Sequence, residues 1–134
     1  MKNFEIKNPI NVIVVKSCGE IIETKMKNLK DFEQVVEGKI RKIPMGNYGL
    51  CFAHHSAFWL FPVNELATVV YKNTASSPNL IYGDVVFLGY ADEFGNYTSI
   101  PKMLVDLIKK ISSNVSWQTK ICVKWNKKNK KLIK

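Results

Sequence analysis

The fold is decided by a stretch near the start of the chain, residues 11–25, with the sequence NVIVVKSCGEIIETK. Its residues 12–15 form a continuous β-branched run, which is typical of a strand buried on both faces. Ser17, Cys18 and Gly19 supply a turn, and residues 20–24 return as a second strand. The stretch therefore predicts a β-hairpin whose first strand is covered on both sides.

Two helices are predicted from their capping residues. Asn28 with Asp31 three residues later is close to a capping box, and we expect Gly38 just past the end of that helix. Asn64 is a second N-cap candidate, for a short helix that continues through Tyr71.

The C-terminal third predicts one more helix and a strand. Four apolar residues follow the helical i, i+3, i+4, i+7 pattern, with Pro101 in the first turn and Ser99 as a candidate N-cap. These four are Leu104, Leu107, Ile108 and Ile111. Residues 115–125 then alternate as in a strand, with Trp117 and Trp125 on one face and lysines on the other.

The middle of the chain predicts further strands. Residues 50–61 are the most apolar stretch and are expected to form two short strands that meet at His54 and His55. Residues 81–90 predict another strand, which a turn at 92–96 leads back into residues 97–100.

These elements mix strands and helices without a repeating βαβ unit. They predict an α+β fold: a single compact domain with a mostly antiparallel sheet packed with about three helices. We expect this domain to span residues 1–125, followed by a basic, frayed tail at 126–134.

Positive charge gathers at the C-terminal end. Residues 1–110 carry 13 Lys and Arg against 11 Asp and Glu, whereas residues 111–134 carry seven Lys and no acid. Such a block points to a polyanionic partner, because lysines release counterions when they meet phosphates. Two alternatives stay open: a solvated tail that aids solubility, or a biased genomic base composition.

Composition excludes several classes of protein. The chain has 134 residues, is 46% hydrophobic and 23% charged, and so is neither disordered throughout nor a disulfide scaffold. No apolar run approaches the roughly 18 residues of a membrane span, and residues 1–30 lack the order of a secretory signal. We expect a cytoplasmic protein with no membrane partner.

No catalytic or metal-binding set emerges from the motifs. The three cysteines, Cys18, Cys51 and Cys122, lack metal-ligand spacing and are expected to be reduced thiols. His54 and His55 are adjacent, so in a regular strand they point in opposite directions. We therefore expect no metal, no cofactor and no enzymatic activity; a hydrolase that uses one of these histidines ranks last.

Three segments resemble a family of small, mostly phage- and plasmid-encoded proteins, the domain-of-unknown-function family three-eight-four-six. They are FEQVVEGKIRKIP at 32–44, LFPVN at 60–64, and IYGDVVFLG at 81–89 followed by Asp92 and Gly95. Their order and spacing are similar over about residues 11–100. The resemblance implies origin in a mobile element and a compact α+β fold, but no reaction and no functional residues. The chain departs from the family pattern at residues 54–59, where that family has an acidic, glycine-containing hairpin tip.

The sequence therefore predicts a non-enzymatic accessory protein of a phage or mobile element, acting in a bacterial host and, by analogy, in counter-defence. The first hypothesis is binding of a phosphate-bearing ligand, either nucleic acid or a small signalling nucleotide. The phosphate contacts would be Lys120, Lys124, Lys127 and Lys128.

The alternative is a protein–protein interaction module with no nucleic-acid role. In it, an apolar hairpin patch at Phe58 and Trp59, with a sheet edge, forms a homo-oligomer or captures a host protein. An exposed patch at these two residues would favour this alternative, and a deep basic cavity would favour a nucleotide.

Overall fold

The computed structural model describes residues 8–113. The strands are β1 (Ile10–Val15), β2 (Ile21–Met26), β3 (Ile40–Pro44), β4 (Leu50–His54) and β5 (Val85–Leu88). The helices are α1 (Leu29–Val36), α2 (Ala57–Leu60), α3 (Glu65–Ala75) and α4 (Lys102–Ser112). The predicted strand at 115–125 and the predicted tail at 126–134 lie outside the described residues.

The five strands form one antiparallel sheet in the order β2-β1-β5-β4-β3. In the predicted hairpin, Val15 pairs with Ile21 across the turn, and Val14 pairs with Val86 of β5 on the other side of β1. A strand with neighbours on both sides and helices above and below suits the β-branched run at 12–15. The α+β architecture predicted from the sequence is confirmed.

Helices cover both faces of the sheet, because side chains alternate along each central strand. On one face, Val12, Val14, Val86 and Leu88 pack with Phe32 of α1. Ile13, Val15, Val85 and Phe87 point to the other face, against α3 and α4. The helical pattern predicted for α4 is confirmed there, since Leu104 and Ile108 are fully buried and Leu107 and Ile111 pack at the margin.

A buried asparagine connects three parts of the fold. The Asn64 side chain accepts a hydrogen bond from Ala67 N–H at 3.0 Å, which confirms the predicted N-cap of α3. Its amide group also donates to the carbonyls of Val15 and Gly83, at 2.9 and 2.8 Å. Asn64 is fully buried, so these bonds fix the end of β1 and the approach to β5 against α3. The helix continues to Ala75, one turn beyond the predicted end at Tyr71.

Both ends of α1 lie where the sequence predicts them. The Asp31 carboxylate accepts from the backbone N–H groups of Lys27 and Asn28, both at 3.0 Å, and these bonds hold the pKa of Asp31 below its usual value. At the other end, Gly38 lies just past the helix as predicted, after the C-cap residue Glu37, which takes the left-handed conformation with φ 65°. Gly38 follows it and donates its N–H to Glu33 O at 3.0 Å.

Three smaller predictions need correction. Ser99 does not cap α4, because Pro101 occupies the N-cap position and Ser99 Oγ accepts from Asn11 N–H at 2.9 Å instead. The strand predicted at 81–90 is confined to β5, since Gly83 takes a positive φ of 78° just before it. The predicted return strand at 97–100 contributes only an isolated bridge between Ala91 and Tyr97.

Candidate functional site

The chain beyond β4 does not form the second strand predicted from the sequence. It turns at residues 55–56 and continues as the one-turn helix α2. Trp59 N–H donates to Ser56 O at 3.0 Å, and Phe61 N–H donates to Ala57 O at 2.9 Å. Ala57 is buried and anchors this turn, so the larger side chains that follow it are carried away from the core.

Three consecutive apolar side chains stand out from α2 into solvent. Phe58, Trp59 and Leu60 are 62%, 80% and 61% exposed, and we call them the ridge. The rings of Phe58 and Trp59 meet edge to face, with centroids 5.0 Å apart. Isolated exposed apolar residues are common on protein surfaces, whereas a contiguous exposed group of large ones is unusual. Phe58 and Trp59, predicted to lie in an apolar hairpin patch, are exposed side by side on a helical turn and not on a hairpin, and their role in binding stays a prediction.

The two histidines come together at the base of the ridge. Their rings stack at a centroid distance of 5.1 Å, because the turn after β4 ends the strand alternation that would separate them. His54 is only 8% exposed, and its Nδ1 accepts from Ser56 N–H at 2.8 Å. The proton of the neutral ring is therefore on Nε2.

Gly38 makes room for that ring. A Cβ atom at this position would lie 2.5 Å from His54 Nε2, closer than any ordinary contact. The glycine that the sequence suggested as a helix terminator is thus required by close packing against a histidine from a different element.

The buried cysteine of β4 is not placed for catalysis. Cys51 is fully buried in the core beneath α3 and α4, and burial raises the pKa of its thiol. A protonated thiol without solvent access is a poor nucleophile, so Cys51 is not available as a catalytic partner for His54. Residues 8–113 contain no group of three or more His, Cys, Asp or Glu side chains that could hold a metal ion.

A cleft of about 380 Å³ lies beside the ridge, between α2 and the loop that precedes β5. It is lined by Arg41, Ile43, Ala53, His54, His55, Ala57, Phe58, Tyr71, Asn79, Leu80, Ile81 and Tyr82. Among the described residues that line it, Arg41 is the only one with a fixed charge, and none is a carboxylate. Neither Arg41 nor Tyr82 is among the site residues predicted from the sequence. The sequence contains one weak indication for Arg41: Arg41 and Lys42 are two adjacent cations between the apolar residues of a strand.

The predicted phosphate-binding residues Lys120, Lys124, Lys127 and Lys128 lie outside the described residues. Residues 8–113 carry 11 Lys and Arg against 10 Asp and Glu, so the described part of the chain is nearly neutral. Within that part, no helix is long and apolar enough to cross a membrane.

Comparison of the chain with protein-family models, with curated protein sequences and with solved structures found no match. The resemblance to the domain-of-unknown-function family stays a prediction, and the proposals that follow rest on the residues of this chain.

Proposed function

We propose that this protein acts by binding, without catalysis, and that the ridge is its contact surface for another protein. The observation that carries this proposal is the exposure of three consecutive large apolar side chains, Phe58, Trp59 and Leu60. Aromatic residues, Trp above all, supply much of the binding energy at protein interfaces. An exposed apolar surface lowers solubility and does not stabilise the core, so its presence is best explained by a partner that covers it.

The charges next to the ridge indicate the chemistry of the partner. Arg41 lines the cleft together with Phe58, and the Lys39 carbonyl accepts from His55 N–H at 2.9 Å. Both cations are exposed, and neither has a carboxylate within ion-pair distance among residues 8–113. A partner segment that combines apolar anchors with acidic residues would match this surface.

The same charges favour a different protein over a second copy of this chain. A twofold interface buries the same patch of both subunits, so the positive charges of Lys39 and Arg41 would be brought close to those of the second copy. The edge strands also disfavour pairing of sheets. Arg41, Lys42 and Pro44 on β3 are exposed, as are Glu23 and Lys25 on β2, and charges and proline protect such edges.

The test is affinity capture from a bacterial lysate with the tagged full chain. The ridge variant carries Trp59→Ser and Leu60→Ser, and Phe94→Ser serves as control because Phe94 is 77% exposed on a distant turn. We expect the wild type and the control to retain the same acidic protein, and the ridge variant to lose it. Equal recovery by all three chains would contradict the proposal, as would a wild-type dimer that the ridge variant dissociates.

A second candidate is the binding of nucleic acid by the C-terminal lysines. The observation in its favour is the charge asymmetry: residues 111–134 hold seven Lys and no acid, beside a nearly neutral body. Phosphate contacts of this kind are independent of base sequence and depend strongly on salt.

Its test is titration of labelled DNA at two salt concentrations with two variants of equal net charge. One replaces Lys120, Lys124, Lys127 and Lys128 by Gln. The other replaces four exposed lysines of the body by Gln, namely Lys25, Lys27, Lys30 and Lys72. We expect only the first to weaken binding and to flatten the salt dependence, by about 0.9 in logarithmic slope for each lost contact. Equal losses in both variants would contradict a dedicated surface.

A further inference from the structure

The cleft beside the ridge combines a guanidinium, aromatic rings and an amide in one small space. Arg41 reaches it from β3, Phe58 from α2, Tyr71 from α3, and Asn79 and Tyr82 from the loop before β5. Its volume of about 380 Å³ lies at the lower end of the range for small-molecule sites. A single small molecule fits such a space, whereas a polymer would extend out of it.

The charge of the cleft selects an anionic group. Arg41 is exposed, and no carboxylate from the described residues pairs with it or lines the cleft. The stacked imidazoles of His54 and His55 add only neutral or positive groups. An arginine fork binds phosphate through two parallel hydrogen bonds and keeps its charge at any physiological pH.

The aromatic residues select a flat ring. Phe58 and Tyr82 meet edge to face, with centroids 5.4 Å apart and planes at 87°. Phe58 is 62% exposed, so part of its ring is available to stack on a base. The Asn79 amide supplies both a donor and an acceptor for the polar edge of such a ring.

We propose that this cleft is a binding site for a mononucleotide, with the base on Phe58 and Tyr82 and the phosphate on Arg41. The site differs in residues and in ligand from the C-terminal lysines, and it does not depend on the ridge having a protein partner. Trp59 and Leu60 do not line the cleft, so the two sites can be tested separately although they share Phe58.

The test is NMR titration of the ¹⁵N-labelled full chain with AMP, GMP, CMP and UMP in turn. The matching nucleoside (adenosine, guanosine, cytidine or uridine) and ribose 5-phosphate serve as the two halves of each ligand. We expect at least one nucleotide to shift the amides of residues 41, 58 and 79–82. We also expect it to bind at least about tenfold more tightly than either half, because each half loses one set of contacts.

Neighbouring residues of β3 provide the matched variants. Arg41→Gln should weaken nucleotide binding about ten- to hundredfold, the effect of losing a charge-assisted hydrogen bond. Lys42→Gln removes the same charge from the opposite face of the strand, where Lys42 lies 5.1 Å from the Tyr97 ring centroid, and should leave binding unchanged. Leu60→Ser should also leave it unchanged, even if it weakens capture of a protein, because Leu60 does not line the cleft.

Three results would overturn the proposal. One is the absence of shifts with all four nucleotides at millimolar concentration. The second is equal weakening by Arg41→Gln and Lys42→Gln, which would indicate attraction to net charge only. The third is binding of ribose 5-phosphate as tightly as of any nucleotide, which would leave an anion site without base recognition and leave the DNA test of the lysines unaffected.

Discussion

The connection between β4 and α3 buries a polar side chain near one end and exposes large apolar side chains near the other. At residue 64 an amide is fully buried, and each of its polar atoms has a hydrogen bond. At residues 58–60, a few positions away, three large apolar side chains face solvent. The buried amide is explained by the folded chain alone, since it joins three elements. Nothing within residues 8–113 covers the apolar ridge, and this difference is why we propose that the ridge binds a partner.

The largest effect is expected at the buried end. Asn64→Asp keeps the shape of the side chain but sets a carboxylate against the carbonyls of Val15 and Gly83. We expect a loss of about 3–5 kcal/mol in the free energy of unfolding, from two lost donors and a buried unpaired charge. Denaturant titration measures it. Asn73→Asp on the exposed face of α3 is the control, with an expected loss of less than about 1 kcal/mol. A similar loss in both variants would remove the contrast between the two ends.

An intermediate effect is expected where the ridge is supported. Gly38→Ala forces its new Cβ against His54 Nε2, and we expect a loss of about 1–2 kcal/mol in stability. Because His54 also accepts the Ser56 N–H, movement of the ring disturbs the turn that begins α2. A double-mutant cycle with His54→Ala tests the cause. We expect the alanine at position 38 to cost much less once the ring is absent, whereas strictly additive losses would show that His54 is not the obstacle.

The smallest effect on stability is expected at the ridge itself. Trp59 is 80% exposed, so Trp59→Ser should change the free energy of unfolding by no more than about 0.5 kcal/mol. Thermal or denaturant unfolding of the purified variant checks this value. A loss of several kcal/mol would mean that the tryptophan supports the fold, and exposure could then no longer be read as a sign of binding.

The sequence predicted the elements whose pattern is local. Each of these patterns lies within a few consecutive residues: the β-branched run of β1, the turn at residues 17–19, the N-cap at Asn64 and the periodic apolar residues of α4. It failed at residues 57–60 because four consecutive apolar residues have no period, and aromatic side chains favour a strand by propensity. In the structure, the carbonyls of Ser56 and Ala57 accept hydrogen bonds from the backbone N–H groups of Trp59 and Phe61, and these bonds form a helical turn.

The candidate sites were less predictable because they depend on contacts between distant segments. Phe58 and Trp59 could be selected as a patch, but their exposure depends on what packs over α2. Arg41 and Tyr82 lie 41 positions apart in the sequence and both line the cleft. Gly38 and His54 lie 16 positions apart and pack against each other. Local patterns in a single sequence do not predict contacts between residues that are this far apart in the chain.

The most direct test of the ridge as the binding surface is hydrogen exchange of the full chain, alone and with the protein it captures. We expect the partner to slow exchange at backbone amides of residues 55–61 and to leave the turn around Phe94 unchanged. Protection confined to residues 114–134, or to the edge strands β2 and β3, would contradict the account.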